Sequence, residues 1–247
     1  MIQLVKQIFN KKTTSKELPY SVDIHSHLIP AIDDGVKDID SAIELIKELE
    51  SVGFKKLITT PHTMSHRFNN SSKTIVDGYE SLKVELRKEG VKLELKVASE
   101  YYLDEHFLTL LAKRDILTFG ENYLLFEHNY GIKPANYEDL IFEMVVAGYK
   151  PVLAHPERYL FMHNDFALYE RLKELGVYFQ LNLNSMSGYY SKEVQKIAHK
   201  LVENGLIDFI GSDIHHQTHL NHFSKNLHSK HLAKIFKYNT ILNEQLL

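Results

Sequence analysis

Two histidines one residue apart, followed by two aspartates, stand in the stretch DIHSHLIPAIDDG at residues 23–35. Burying His25, His27, Asp33 and Asp34 together is costly unless an ion or an opposite charge offsets it. Similar residues recur downstream: His62 in TTPH, Glu100 in ASE, Glu127 in FEH, His155 in AHPER, and Asp213 and His215 in GSDIH. With His25, His27 and Asp34 they make five histidines and four carboxylates. Held together without metal, the carboxylates would repel and some would protonate. Three divalent cations reverse that balance: six positive charges against four negative leave an excess of about two, which suits an anionic substrate. Nitrogen and oxygen donors without sulfur fit Mn, Fe or Zn. Divalent ions a few Å apart give a hydroxide nucleophile at neutral pH and clamp the oxygens of an in-line phosphoryl displacement.

Such a set works only if the chain brings it to one place. Five segments share one punctuation: ESVGF at 50–54, KEGV at 88–91, VAGY at 146–149, ELGV at 174–177 and ENGL at 203–206. A glycine followed by a large apolar residue marks a helix C-terminus, where glycine takes the left-handed cap and the next residue packs back. Helical spacing precedes it: Ile39, Ile43, Ile46 and Leu49 form one face, and Val194, Ile197, Leu201 and Val202 another, with Ser191 as N-cap. Short apolar runs read as buried strands: SVDIHSH, KLITTPH, LELKVASE, YLLFEH, PVLAH, VYFQLNLN and IDFIGSD, seven in all. Strands alternating with helices predict parallel βα units. In a βα barrel all strands end on one face, where active sites form. Six of the seven runs end in a histidine or carboxylate, and the exception ends in Asn184.

The chain of 247 residues suits one large domain, with 44% hydrophobic and 25% charged residues. A formal charge of −3 without a long basic run gives no reason to expect nucleic acid as a partner. The absence of cysteine excludes disulfides, thiolate metal sites and a cysteinyl-phosphate intermediate. No apolar run approaches a membrane span, and MIQLVKQIFNKK is too short and interrupted for a secretory signal. The expectation is a cytoplasmic protein whose IQLVKQIF segment is a packing or oligomer-contact helix.

DIHSH, TTPH, ASE, AHPER and GSDIH, in this order across residues 23–215, resemble the polymerase-and-histidinol-phosphatase (PHP) family. IPAIDDG and HPERY are similar, more specifically, to bacterial metal-dependent protein-tyrosine phosphatases of capsule and exopolysaccharide clusters. The resemblance implies an α/β fold, a distorted seven-stranded (β/α)7 TIM-like barrel, with residues 1–247 as one domain and 1–18 as an N-terminal extension. It implies three metal ions, with Mn expected and Fe or Zn as alternatives. His25, His27, Glu100 and Asp213 would hold the first; Glu100, Glu127 and His155 the second; Asp34, His62 and His215 the third. Arg158, Asp213 and His215 are the expected catalytic residues, Arg158 by holding the phosphate with its planar fork. The implied reaction is attack of a metal hydroxide on phosphorus, with phenolate (phenol pKa ~10) leaving. The implied partner is a phosphotyrosine protein, the tyrosine-rich tail of a capsule-assembly autokinase. The family often carries a further arginine after GSDxH, whereas this chain reads GSDIHHQTHLNHF. His216, His219, His222 or Arg67 are the alternatives for that side.

Simpler readings stand beside these. Asp33 rather than Asp34 could ligate, the other capping a turn with Gly35. His128 rivals Glu127, and Arg158 could form a structural ion pair with Glu157 or another acid. The histidines at 216, 219, 222, 228 and 231 read as polar surface, and Tyr101 and Tyr102 as rim packing. A metabolite phosphatase, such as one for histidinol phosphate, keeps the chemistry and would need a closed, acid-lined pocket to read an amine. A metal-stabilised regulatory domain without turnover is the third reading, disfavoured by the complete ligand set.

Overall fold

The computed structural model describes residues 18–247. The expected IQLVKQIF helix, and all of the N-terminal extension except Leu18, lie outside the described residues.

Each expected strand run forms strand, and all pairs are parallel. β1 (Val22–Asp23), β2 (Lys56–Thr59) and β4 (Glu94–Val97) form a three-stranded sheet in the order β1-β2-β4. The other six are β3 (His62–Thr63), β5 (Glu100–Tyr102), β6 (Tyr123–Glu127), β7 (Lys150–Ala154), β8 (Tyr178–Asn182) and β9 (Phe209–Gly211). They pair in the order β3-β5-β6-β7-β8-β9. Two runs read as continuous are therefore each broken in two. KLITTPH breaks at Thr60–Pro61, where proline has no N–H for the ladder. LELKVASE breaks alongside it at Ala98–Ser99: the Ser99 hydroxyl donates to Pro61 O at 2.8 Å and shares a hydrogen bond of 2.7 Å with the Thr63 hydroxyl. Beyond the sheets, Ser26 bridges Ile214 in parallel, with His27 N donating to Ile214 O at 2.9 Å and Asp213 N to His25 O at 2.8 Å.

The connections are helical. α1 (Ile39–Val52) follows β1, α2 (Ser72–Lys88) follows β3, α3 (Glu105–Lys113) follows β5 and α4 (Tyr137–Val146) follows β6. α5 (Phe166–Glu174), α6 (Lys192–Glu203), α7 (Gln217–Leu227) and α8 (Lys230–Tyr238) complete the set. The punctuation glycines Gly53, Gly90, Gly148, Gly176 and Gly205 all have positive φ, as helix termination requires. Asp38 caps α1, accepting from Ser41 N at 2.8 Å, and Ser191 caps α6, accepting from Val194 N at 3.0 Å.

Alternation along the strands divides the core. Leu57, Leu124, Phe126, Leu153, Phe179 and Ile210 pack in the large cluster that includes the helices. Their neighbours Ile58, Leu125, Val152, Ala154 and Phe209 join Val22, Ile24, Ala98 and Phe119 in a second cluster supplied by both sheets. The C-terminal segment closes over this second cluster through Leu242 and Leu246. Asn243, fully buried, donates to Val22 O (2.9 Å) and Ile210 O (2.7 Å) and accepts from Ile210 N (2.9 Å).

Candidate metal centre

The strand ends bring the nine expected ligands to one place. His62 of β3 pairs in register with Glu100 of β5, and Tyr102 of β5 with Glu127 of β6. Donor atoms lie within 4.8 Å of one another in four groups: His27, Asp34, His62 and His215; His25, Glu100 and His155; His25, His27 and Asp213; and His62, Glu100 and Glu127. Every expected ligand belongs to a group, and His25, His27, His62 and Glu100 each belong to two. Glu100 lies at the middle: its carboxylate is 3.2 Å from His25 Nε2, 3.0 Å from His155 Nε2 and 3.2 Å from His62 Nδ1.

Hydrogen bonds behind the histidines fix which nitrogen faces the cluster. His25 Nδ1 donates to Gln180 Oε1 at 2.6 Å, Gln180 Nε2 to Asn182 Oδ1 at 2.8 Å, and Asn182 Nδ2 to Asp213 Oδ2 at 2.6 Å. This relay leaves His25 Nε2 free for the centre and orients Asp213 at the same time. His27 Nδ1 donates to Asp33 Oδ2 at 2.7 Å, and His215 Nδ1 to the Asp213 carbonyl at 3.0 Å. Asp33 also accepts from His62 N (3.0 Å) and Gly35 N (2.9 Å). Asp33 is thus the turn cap and the orienter of His27, while Asp34 joins the cluster. Gly35 is required here: a Cβ on it would lie 2.2 Å from the His27 carbonyl oxygen.

The backbone is bent at two of these positions. His155 (φ 36°) and Asp213 (φ 51°) occupy the left-handed region, uncommon for residues with a Cβ. Each costs on the order of 1 kcal/mol or more, held by surrounding structure.

The charges are mutually dependent. Burial opposes charge on Glu100, and His25 and His62 outweigh it, holding the carboxyl well below the usual range. Asp213 is likewise held low against its burial, by His25 and His27. Burial works against the charged forms of His25, His27 and His62, but their carboxylate partners prevail, and His62 is pushed up to about 10. His155 goes the other way, lowered by burial and by Arg158. His62 Nδ1 and His155 Nδ1 are buried without a hydrogen-bond partner. The orphaned His62 Nδ1 lies 3.2 Å from carboxylate oxygens of both Glu100 and Glu127, part of a nitrogen and oxygen donor set that fits divalent cations.

His128 is turned into the protein: it bonds the Tyr137 hydroxyl at 2.8 Å, stacks on Tyr159 with centroids 4.0 Å apart, and is in none of the four groups. Arg158 does form an ion pair with an acid, Asp213 Oδ2 (Nη1, 3.2 Å), as the simpler reading allowed; that acid is not Glu157, which accepts from Asn182 N and the Ser185 hydroxyl. Its guanidinium lies 4.6 Å from the ring centroids of both Tyr130 and Tyr190. Tyr101 is core packing, whereas Tyr102 lines the cleft over the cluster. Of the later histidines only His215 and His219 line that cleft, and His231 packs near His199. The cleft has a volume of about 400 Å3, and its walls include Phe68, Tyr102, Tyr130, Arg67 and Arg158. Gln180, Asn182, Tyr130 and Tyr190 were not anticipated. Gln180, Asn182 and Asn184 at every second position of an otherwise apolar run were the available signal for the first two.

Known proteins resemble the chain in sequence and in structure. The family described as capsular polysaccharide synthesis, CpsB/CapC, matches residues 21–240. The tyrosine-protein phosphatase YwqE of Bacillus subtilis is 30% identical over 210 residues, covering 85% of this chain and 81% of YwqE. The putative tyrosine-protein phosphatase CapC of Staphylococcus aureus is 29% identical over 216 residues, covering 87% and 85%. Among solved structures, one described with YwqE of B. subtilis and CpsB of Streptococcus pneumoniae as metal-dependent tyrosine phosphatases superposes with TM-score 0.75 at 28% identity, covering 89% of this chain and 96% of that one. An organophosphorus hydrolase variant from Deinococcus radiodurans shares the fold at 12% identity, with TM-score 0.50 and 89% and 85% covered.

Proposed function

The chain belongs to the CpsB/CapC capsular polysaccharide synthesis family, and from that premise we propose that it is a metal-dependent phosphatase acting on phosphotyrosine in a protein. The observation that carries the reading is the convergence of nine candidate nitrogen and oxygen ligands from the ends of six strand runs and the loop after the first. The finer proposals are three divalent ions, Mn foremost, a substrate that is a tyrosine autokinase of capsule assembly, and a cytoplasmic location. No described helix is long and apolar enough to cross a membrane, which accords with that location. For the fold, the finer proposal is a distorted seven-stranded barrel within one domain, the two broken runs each counting once and the Ser26–Ile214 bridge joining last strand to first.

His25, His27, Asp34, His62, Glu100, Glu127, His155, Asp213 and His215 would hold the ions. Bound there, divalent ions lower the pKa of water toward neutrality and offset the charge of a phosphoryl group. The chain itself orients and excludes. Gln180, Asp33 and the Asp213 carbonyl keep the Nδ1 protons of His25, His27 and His215 away from the cleft. Arg158, fixed between two tyrosine rings, presents its fork to a phosphate with little side-chain entropy left to lose. Phe68, Tyr102 and Tyr130 offer aromatic walls to a phenyl ring. The carboxylates lining the cleft, Asp34, Glu100, Glu127 and Asp213, are all candidate ligands, which leaves none of them spare to read the amine of a metabolite such as histidinol phosphate.

The test is phosphate release from a phosphotyrosine peptide with Mn, beside histidinol phosphate and a His155→Ala control. Turnover of the peptide, lost in the control, supports the reading. Preference for histidinol phosphate moves the protein to metabolites, and no turnover of either by metal-loaded protein leaves the regulatory reading.

A further inference from the structure

Two guanidinium groups reach the cleft, and they are held in the same way. Arg158 Nη1 lies 3.2 Å from Asp213 Oδ2, while Asp213 Oδ1 is 3.5 Å from His25, His27 and His215. Arg67 Nη2 lies 3.5 Å from Asp34 Oδ2, while Asp34 Oδ1 is 3.4 Å from both His62 and His215. In each pair one carboxylate oxygen faces the histidines and the other steers an arginine. Each guanidinium also rests on aromatic rings: Arg158 on Tyr130 and Tyr190, and Arg67 on Phe68 at 4.8 Å. Phe68 in turn stacks on His62, with centroids 5.5 Å apart and planes 10° apart.

The segment carrying Arg67 is anchored. Met64 and Phe68 exchange backbone hydrogen bonds of 2.9 Å in both directions. Ser65 donates to Asp104 Oδ2 through its N–H (3.1 Å) and hydroxyl (2.8 Å), and Asn70 Nδ2 donates to the carbonyls of Ile32 and His62. The Arg67 side chain itself reaches into solvent, 62% exposed against 24% for Arg158. Among the described residues lining the cleft there is no lysine and no third arginine.

We propose that Arg67 is a substrate-binding residue of the cleft, a second phosphate contact that binds substrate from the Asp34 side while Arg158 binds it from the Asp213 side. The proposal rests on the phosphatase reading given above. An exposed guanidinium on a flexible stem contributes to capture of the dianion, which lowers KM and leaves kcat nearly unchanged. Its solvation makes the contribution salt-sensitive.

The experiment compares Mn-loaded wild type with Arg67→Gln and Arg67→Lys. It measures kcat and KM on free phosphotyrosine and on a phosphotyrosine peptide with acidic neighbours, and calorimetric binding of inorganic phosphate. Arg67→Gln is expected to weaken phosphate binding and raise KM on free phosphotyrosine about tenfold. It should leave kcat within about twofold, with Mn content and Tm unchanged, because the binding removed is the same in the ground state and the transition state. Arg67→Lys should recover part of the loss, and the difference should shrink in high salt. Unchanged phosphate binding in Arg67→Gln overturns the proposal. So does an effect confined to the acidic peptide, which would assign Arg67 to a neighbouring carboxylate, and so does a loss of Mn, which would assign it to holding Asp34. If wild type binds phosphate but does not turn over phosphotyrosine, the phosphatase reading fails while the binding comparison still judges Arg67.

Discussion

Asp33 reaches no candidate ion and yet governs two ligands, through the ring of His27 and the backbone N–H of His62. Replacing it with Asn keeps the shape and weakens the orientation of both. Orienting partners of metal ligands typically cost 10- to 100-fold in affinity when lost. We expect Asp33→Asn to lower Mn affinity by about tenfold or more, with activity restored at higher Mn, as a metal titration of the rate would read. The histidine charges make a second prediction. The partner carboxylates raise the pKa values of His25, His27 and His62 in the metal-free protein, His62 to about 10, which favours their protonated rings. Ligation needs the neutral ring, so loading must release those protons and apparent affinity must fall as pH falls. Mn titration of apo-protein in weakly buffered solution at pH 7 should acidify it, and loading without proton release would contradict the pairing described.

β8 shows how elements place residues that have no contact with substrate. The run VYFQLNLN was the exception whose end carried no charged ligand, and it supplies Gln180 and Asn182 to the relay between His25 and Asp213. The adjacent β9 must leave room for that relay: a Cβ on Gly211 would lie 2.4 Å from Gln180 Nε2 and 2.8 Å from His25 Cβ. Gly211→Ala is expected to lose most metal affinity while keeping its far-UV circular dichroism, and unchanged metal affinity would show that the relay tolerates displacement. The strands, the helix ends and most of the nine converging residues were legible in the chain, because periodicity, terminal glycines and strand-end donors are local signals, while the choice of Asp34 over Asp33 rested on the family resemblance. The breaks at Pro61 and Ser99 were not, since the second depends on a contact between runs distant in sequence. The tyrosines around Arg158 come from two loops remote from each other and from it, and no spacing announces them.

At the scale of the molecule, the two sheets share one inner core, and the C-terminal segment closes it. Asn243 satisfies three buried backbone groups there, so Asn243→Ala should cost about 3 kcal/mol and lower Tm by several degrees, read by calorimetry. The site lies at the opposite ends of the strands, so the remaining folded enzyme should keep its KM. Phosphotyrosine hydrolysis is proposed to depend on the ions that the nine converging histidines and carboxylates would hold. The measurement that bears on this dependence most directly is the initial rate of phosphate release from a phosphotyrosine peptide by chelated protein as Mn is returned. No rate is expected without metal, and full recovery once about three equivalents per chain are bound. Undiminished rate in the chelated protein, or full metal binding without turnover, would contradict that dependence.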